Sequence, residues 1–412
     1  RELELNAFVA MLREPTAKLL VSGHRRMGKS STLARAVRSV NEEGGYAIVA
    51  DLSTATTVTD MANRILRAAA RTLGRRWTDF ASDIPRYLKV GVKLQLDPVT
   101  ELPIPSLEIG ARDDTLAVQQ ESLGGVLDSL DAMAARRGVT LGVVLDEFQE
   151  IARFGSAGAA PGGASGASRK RGRLSARAPL HGSARHDQPE WHLRGVIQPH
   201  QHLSYILAGS RRTLLDAMIE PNAAFYKMLT PMRFGPIDPA HMAEWIDARM
   251  ASVGLHVDGA GARCVEWAGP RTRDIVRVAR KCVDCAVAGG TVNADVVQRA
   301  LREIVDEESD LYAERWSRRS GHQQNVLRAV AAIDQGLTTA AARRGFTLGA
   351  SGTVTNTLAH FVDDGILTRT SRGGGYAFDD PFFRAWVVSR ALVDVGLILP
   401  QTHVANPTSE YD

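Results

Sequence analysis

The sequence predicts an α/β fold built on a parallel sheet, and three observations carry that expectation. An apolar run, Leu19-Leu20-Val21-Ser22, leads straight into Gly23-His24-Arg25-Arg26-Met27-Gly28-Lys29-Ser30-Ser31, a GxxxxGKS pattern. A second apolar run, Leu141-Gly142-Val143-Val144-Leu145, ends in the adjacent carboxylates Asp146 and Glu147. Around them, strand-like runs alternate with stretches whose apolar residues recur three and four positions apart, as in a doubly wound sheet.

The first motif reads as a phosphate-binding loop. Gly23 and Gly28 let the backbone wrap an anion closely, so the N–H groups of residues 23–31 and the start of the next helix point at a polyphosphate. Lys29 is expected to reach the β- and γ-phosphates, and Ser30 to offer its hydroxyl to Mg²⁺. The strand before the loop, the helix expected over 31–39 and the second motif downstream separate this pattern from a chance glycine loop with a surface lysine. Brought beside the loop, the second motif is a Walker B element. Asp146 would hold Mg²⁺ through water, and Glu147 would orient and deprotonate the attacking water.

With 412 residues the chain should divide into two or three domains, each able to bury a core without staples. Its three cysteines, Cys264, Cys282 and Cys285, are too few for a disulfide framework and suit a reducing compartment. Cys282-x-x-Cys285 lies in a helical pattern with no second pair to complete a zinc site, so it reads as a core pair rather than a metal or redox site. No apolar span is long enough to cross a bilayer and no signal peptide is visible, which gives a cytoplasmic, membrane-free expectation. The chain begins at Arg1 inside a helix-like stretch, which leaves room for an upstream segment. Of the 50 basic residues 43 are arginine, yet the net charge is only +4, which permits a nucleic-acid partner without requiring one.

In chain order, Tyr46–Leu52 suits a parallel strand, and a helix follows through Met61, Ile65, Leu66 and Ala69. Residues 89–110 alternate in period two around Asp97-Pro98 and read as an inserted hairpin. A helix over 114–136 leads to the Walker B run. Residues 155–189 are rich in Gly, Ala, Ser and Arg without periodicity; Arg169, Lys170, Arg171, Arg173, Arg177 and Arg185 precede the first acid, Asp187. This stretch reads as a solvated basic insertion, with a loose grip on phosphate backbones as the alternative. A helix over 191–198 and a buried strand over 203–209 follow. That strand ends at Ser210, either a sensor facing the γ-phosphate and water, with Arg211 and Arg212 beside it, or the N-cap of the next helix.

GHRRMGKSS, VVLDEFQEI and YILAGSRRTLL together resemble the P-loop, the DEFQ-type Walker B and the "GS" strand of the archaeal-type ATPase family, AAA+-like P-loop proteins related to the STAND ATPases. The resemblance spans residues 1 to about 395. It implies a P-loop NTPase sheet of the additional-strand type, with the GS strand between the P-loop and Walker B strands, a helical lid and a C-terminal winged helix. The insertion at 155–189 departs from that pattern.

The corresponding domains are 1–235 for the sheet, 236–312 for the lid, 313–398 for the winged helix and 399–412 for a tail. Lid helices are expected over 240–251, 260–268, 271–287 and 294–304. Such lids place a sensor arginine over the phosphates, and Arg271 or Arg273 stands at a fitting helix start, where an ordinary solvated arginine would serve equally. The winged helix would comprise helices over 324–333, 338–343 and 351–361, the last capped by Ser351, then strands over 365–369 and 376–378 around a glycine wing, and a closing helix in the "YxxxDPFxRxW" ending. The third helix offers Thr353, Thr355, Asn356 and His360 but no arginine or lysine, so DNA and protein docking stand equal.

The functional expectation is an ATPase with ATP and Mg²⁺ as cofactors, whose hydrolysis drives a switch of lid and winged helix. With no arginine finger in evidence, turnover is expected to be slow unless a neighbouring subunit or partner supplies one. The rival is a nucleotide-gated regulator or DNA-binding protein in which ATP binding is the signal.

Overall fold

The computed structural model describes residues 1–73, 91–96, 103–108, 115–154, 188–333, 336–370 and 375–392. Nearly all of the basic insertion, the hairpin turn at 97–102, most of the wing and the tail lie outside the described residues. The chain forms two compact units. The first comprises Arg1–Arg25 and Lys29–Phe234; the second takes the loop tip Arg26–Gly28 together with Gly235–Asp412.

The first unit is a parallel sheet of five strands: β1 Lys18–Ser22, β2 Tyr46–Asp51, β5 Leu141–Asp146, β6 Leu203–Gly209 and β7 Thr230–Arg233. The order is β2-β5-β6-β1-β7, so the GS strand β6 lies between the P-loop strand β1 and the Walker B strand β5, as the resemblance implies. The two central strands, β5 and β6, are buried along their whole length. Strands covered on both faces carry continuous apolar runs rather than alternation, which is why both stand out in the sequence. Because neighbours are parallel and Ser22 is in register with Gly209, the carboxyl ends of β1, β5 and β6 share one edge of the sheet.

Helices Glu2–Arg13, Lys29–Glu42, Val58–Leu73, Leu116–Arg137, Pro189–Ile197 and Arg212–Ile219 accompany the sheet. The P-loop helix starts at Lys29, two residues before its expected position. The hairpin is present, with β3 Gly91–Leu96 antiparallel to β4 Pro103–Glu108. It is tied to the helix after β2, because the backbone N–H of Leu107 donates to Asn63 Oδ1 at 2.8 Å. Strand β7 has no counterpart in the sequence reading. It is four residues long, mostly exposed and carries Pro231, which an edge strand tolerates because no ladder bond is lost there.

In the second unit, helices Pro239–Ser252, Ala260–Ala268, Thr272–Cys285 and Ala294–Glu307 are joined by a two-residue parallel ladder of β8 His256–Val257 with β9 Thr291–Val292. Helix Ser309–Ser317, not anticipated, follows. Then come helices Gly321–Ala332, Ala340–Gly345 and Ser351–Asp363, the antiparallel pair β10 Leu367–Arg369 and β11 Tyr376–Phe378, and helix Pro381–Trp386. Buried residues from Met242 to Ala391 form one continuous cluster through this unit.

Two local expectations are corrected here. Ser351 is the first helical residue rather than the cap; the N-cap is Ala350, which has no side-chain acceptor. Cys285 is only half-buried, and Cys282 instead meets Cys264 across the packed helices, where that contact and burial push the Cys264 thiol pKa upward.

Candidate functional site

The two glycines of the P-loop are required for different reasons. Gly28 sits at φ +90°, a conformation that disfavours any Cβ. Gly23 needs no special φ; a Cβ there would lie 2.6 Å from the Phe234 carbonyl oxygen, where the chain leaves β7 and Phe234 donates its N–H to Ser22 O at 2.8 Å. Nothing lies within 4 Å of the Cβ position at Gly28, so that side of the loop is open. Arg26 also has a left-handed φ of 68°, which makes the loop a concave turn of backbone amides.

Lys29 opens the following helix and is buried, 4 % exposed. Its Nζ lies 2.9 Å from Asp146 Oδ1, so the P-loop lysine and the Walker B aspartate form a buried ion pair. Asp146 Oδ1 also accepts the N–H of Glu147 at 3.0 Å. Such a pair costs desolvation and persists because each charge has the other. Ser30 and Ser31 are exposed in the first helical turn. The hydroxyl of Ser30 and the carboxylate of Asp146 are hard oxygen donors of the kind Mg²⁺ takes, so the residues present fit that ion.

Glu147 follows the sheet edge in a left-handed conformation, φ 54°, and starts a short 3₁₀ helix, Phe148–Arg153. This turn aims its carboxylate back along the strand ends. Glu147 Oε2 accepts from Ser210 Oγ at 2.9 Å and from Gln149 Nε2. Ser210 Oγ in turn accepts from Arg25 Nε at 3.3 Å, so a chain of hydrogen bonds runs from the P-loop through the GS strand to the Walker B glutamate. The alternative in which Ser210 caps the next helix is overturned: the N-cap is Arg211, and the hydroxyl of Ser210 is used on Glu147. His24 is half-buried beside Arg212, with Nε2 and Nη1 3.3 Å apart.

The side chains of three residues expected at the phosphates are engaged elsewhere. Met27 is buried, 1 % exposed. Arg26 groups with the second unit and pairs with Asp274 at 3.4 Å. Burial pushes the Asp274 carboxyl up to about 6, against the pull of Arg26 and Arg271. Arg271, expected as a sensor over the phosphates, is 3 % exposed and donates to both the carbonyl and the carboxylate of Asp379. Its guanidinium is thus committed to the turn before the closing helix. Arg273 is exposed. Gln149 is the neighbour of Glu147 to which the sequence motifs assign no role, and its only signal is its place two residues after that glutamate.

No protein-family model matches the chain, and no curated protein does. Among solved structures, the chain is similar to the Walker-type ATPase of Pyrococcus abyssi at 18 % identity, covering 94 % of this chain and 95 % of that one with a TM-score of 0.56. It is also similar to the ORC2 protein of Aeropyrum pernix in its ADPNP and ADP complexes, at 13 % identity over 96 % and 93 % with a TM-score of 0.49. Over nearly its full length, the chain therefore has the fold of an archaeal Walker-type ATPase.

Proposed function

We propose that the protein binds ATP with Mg²⁺ and hydrolyses it. The observation that carries this reading is the convergence of Lys29, Asp146, Glu147 and Ser210 at one edge of the sheet, where open α/β sheets bind ligands. The loop amides from Gly23 to Gly28 and the N-terminus of the helix at Lys29 receive the phosphates. Lys29 exchanges its bond to Asp146 for the β- and γ-phosphates, and Asp146 is then freed to face the metal with Ser30. Bound there, Mg²⁺ would neutralise charge on the phosphate oxygens. Glu147 orients the attacking water and takes its proton. Ser210, now donating to Glu147, is placed to sense whether that water and the γ-phosphate are present.

Phosphate release from MgATP tests this. Glu147→Gln should lower turnover about 10²-fold or more while ATP binding persists. ATP binding without turnover in either protein would overturn hydrolysis and favour the second reading, a nucleotide-gated switch. That reading draws support from helix Ser351–Asp363, which exposes Thr353, Thr355, Asn356 and His360, with Arg344 on the preceding helix. Such a surface offers hydrogen-bonding groups to a DNA or protein partner but few cations for phosphates. If DNA is the partner, its affinity should fall steeply as salt rises.

A further inference from the structure

Gln149 is 1 % exposed, and its amide faces two very different neighbours. Nε2 donates to Glu147 Oε2. Oε1 is buried against β6 and has no hydrogen-bond partner among the described residues. A buried carbonyl left unpaired is destabilising, so an apolar residue would fill this slot more stably if packing were the only demand. The slot itself is shaped for the amide. Gly209 lies beside it in β6, and a Cβ at Gly209 would overlap Oε1, so the strand has given up a side chain where Gln149 lies. The 3₁₀ turn begun by the left-handed Glu147 places residue 149 back over the strand end, within reach of the glutamate two positions earlier.

We propose that Gln149 is the positioning residue for Glu147. Its amide and the Ser210 hydroxyl hold the same carboxylate oxygen, Oε2, from two sides, leaving Oε1 of Glu147 to face the water. Two donors from separate elements fix both the height and the rotation of a carboxylate that its own left-handed backbone would otherwise leave loosely aimed. This role rests on the ATPase reading. Effective catalysis by a base depends on its placement to a fraction of an ångström, so a loss at Gln149 should appear in turnover rather than in substrate affinity.

The test compares the full chain with Gln149→Leu, which removes the donor, and Gln149→Glu, which keeps the shape and replaces the donor with an acceptor. Steady-state MgATP hydrolysis and equilibrium ATP binding are measured for each, with thermal unfolding to establish that it is folded. Both variants should lose tenfold or more in kcat, with the ATP Kd within twofold of the unsubstituted protein. Combined with Glu147→Gln, either should add less than twofold to the loss from Glu147→Gln alone, because the two residues act as one unit. Gln149→Glu with full kcat would overturn the role, as would losses that multiply in the double variant. If Gln149→Leu does not fold, Gln149→Glu alone decides. An unsubstituted protein that binds ATP without turnover overturns the ATPase reading and this role with it; a defect confined to the variants leaves that reading intact.

Discussion

Gly23 and Gly28 look alike in the motif, but close packing against Phe234 requires the first and backbone conformation requires the second. Their substitutions should therefore fail differently. Gly23→Ala must push the Phe234 carbonyl aside and should cost about 1–3 kcal/mol in a urea titration. Gly28→Ala has room for its methyl group, but the left-handed φ should cost about 1–2 kcal/mol and weaken ATP binding through the altered loop. Equal stability of Gly23→Ala and the unsubstituted protein would show that the contact yields. The residues that bear charge or supply loop geometry were legible because each has a chemical reason to be its own type. Gln149 was not, because nothing in a local window reports which partner an amide finds. The partner of Arg271 was hidden for the same reason: a helix start in sequence does not reveal that Asp379, 108 positions on, receives its guanidinium.

Helix Glu2–Arg13 shows what an element needs beyond its own periodicity. The last turn of any helix leaves carbonyls without partners, and a buried end must find donors. Here Ser204, fully buried in β6, donates its hydroxyl to Leu12 O at 3.0 Å, while Thr16 N turns away to Leu203 O. Ser204→Ala should leave that carbonyl unpaired and cost about 1–3 kcal/mol, measurable by chemical denaturation, whereas an exposed serine such as Ser351 should cost far less when replaced by alanine. Central strands β5 and β6 could be read directly from sequence, since burial on both faces demands unbroken apolar runs. The edge strand β7 could not, because its ladder to β1 is non-local and its side chains carry no pattern.

At the scale of the whole molecule, the chain has one core in the sheet unit and another running from Met242 to Ala391. A ligand that binds only the folded chain stabilises it in proportion to its saturation. MgATP at a hundred times its Kd should contribute about 2.7 kcal/mol, visible as an upward shift in thermal unfolding. The shift should vanish in Lys29→Ala, which removes the phosphate contact. A shift of equal size in both proteins would place the nucleotide elsewhere. Among the described residues no helix is long and apolar enough to cross a membrane.

The α/β class, the GxxxxGKS loop, the paired carboxylates at the end of β5 and most helices were legible in the chain's local patterns, because each rests on short-range rules: 3.6-residue periodicity, buried runs, and glycines around a lysine. The placement of the GS strand came from family resemblance, and the parallel registers of β1 with β6 and β5 with β6 bear it out. The partners of polar side chains had to await the folded chain: Lys29 with Asp146, Arg25 through Ser210 to Glu147, Gln149 over Gly209, and Arg271 on Asp379. Except for Gln149, whose slot depends on its packing against β6, these link residues more than 60 positions apart. No local propensity encodes such pairs; they are set by which strand ends the sheet brings together.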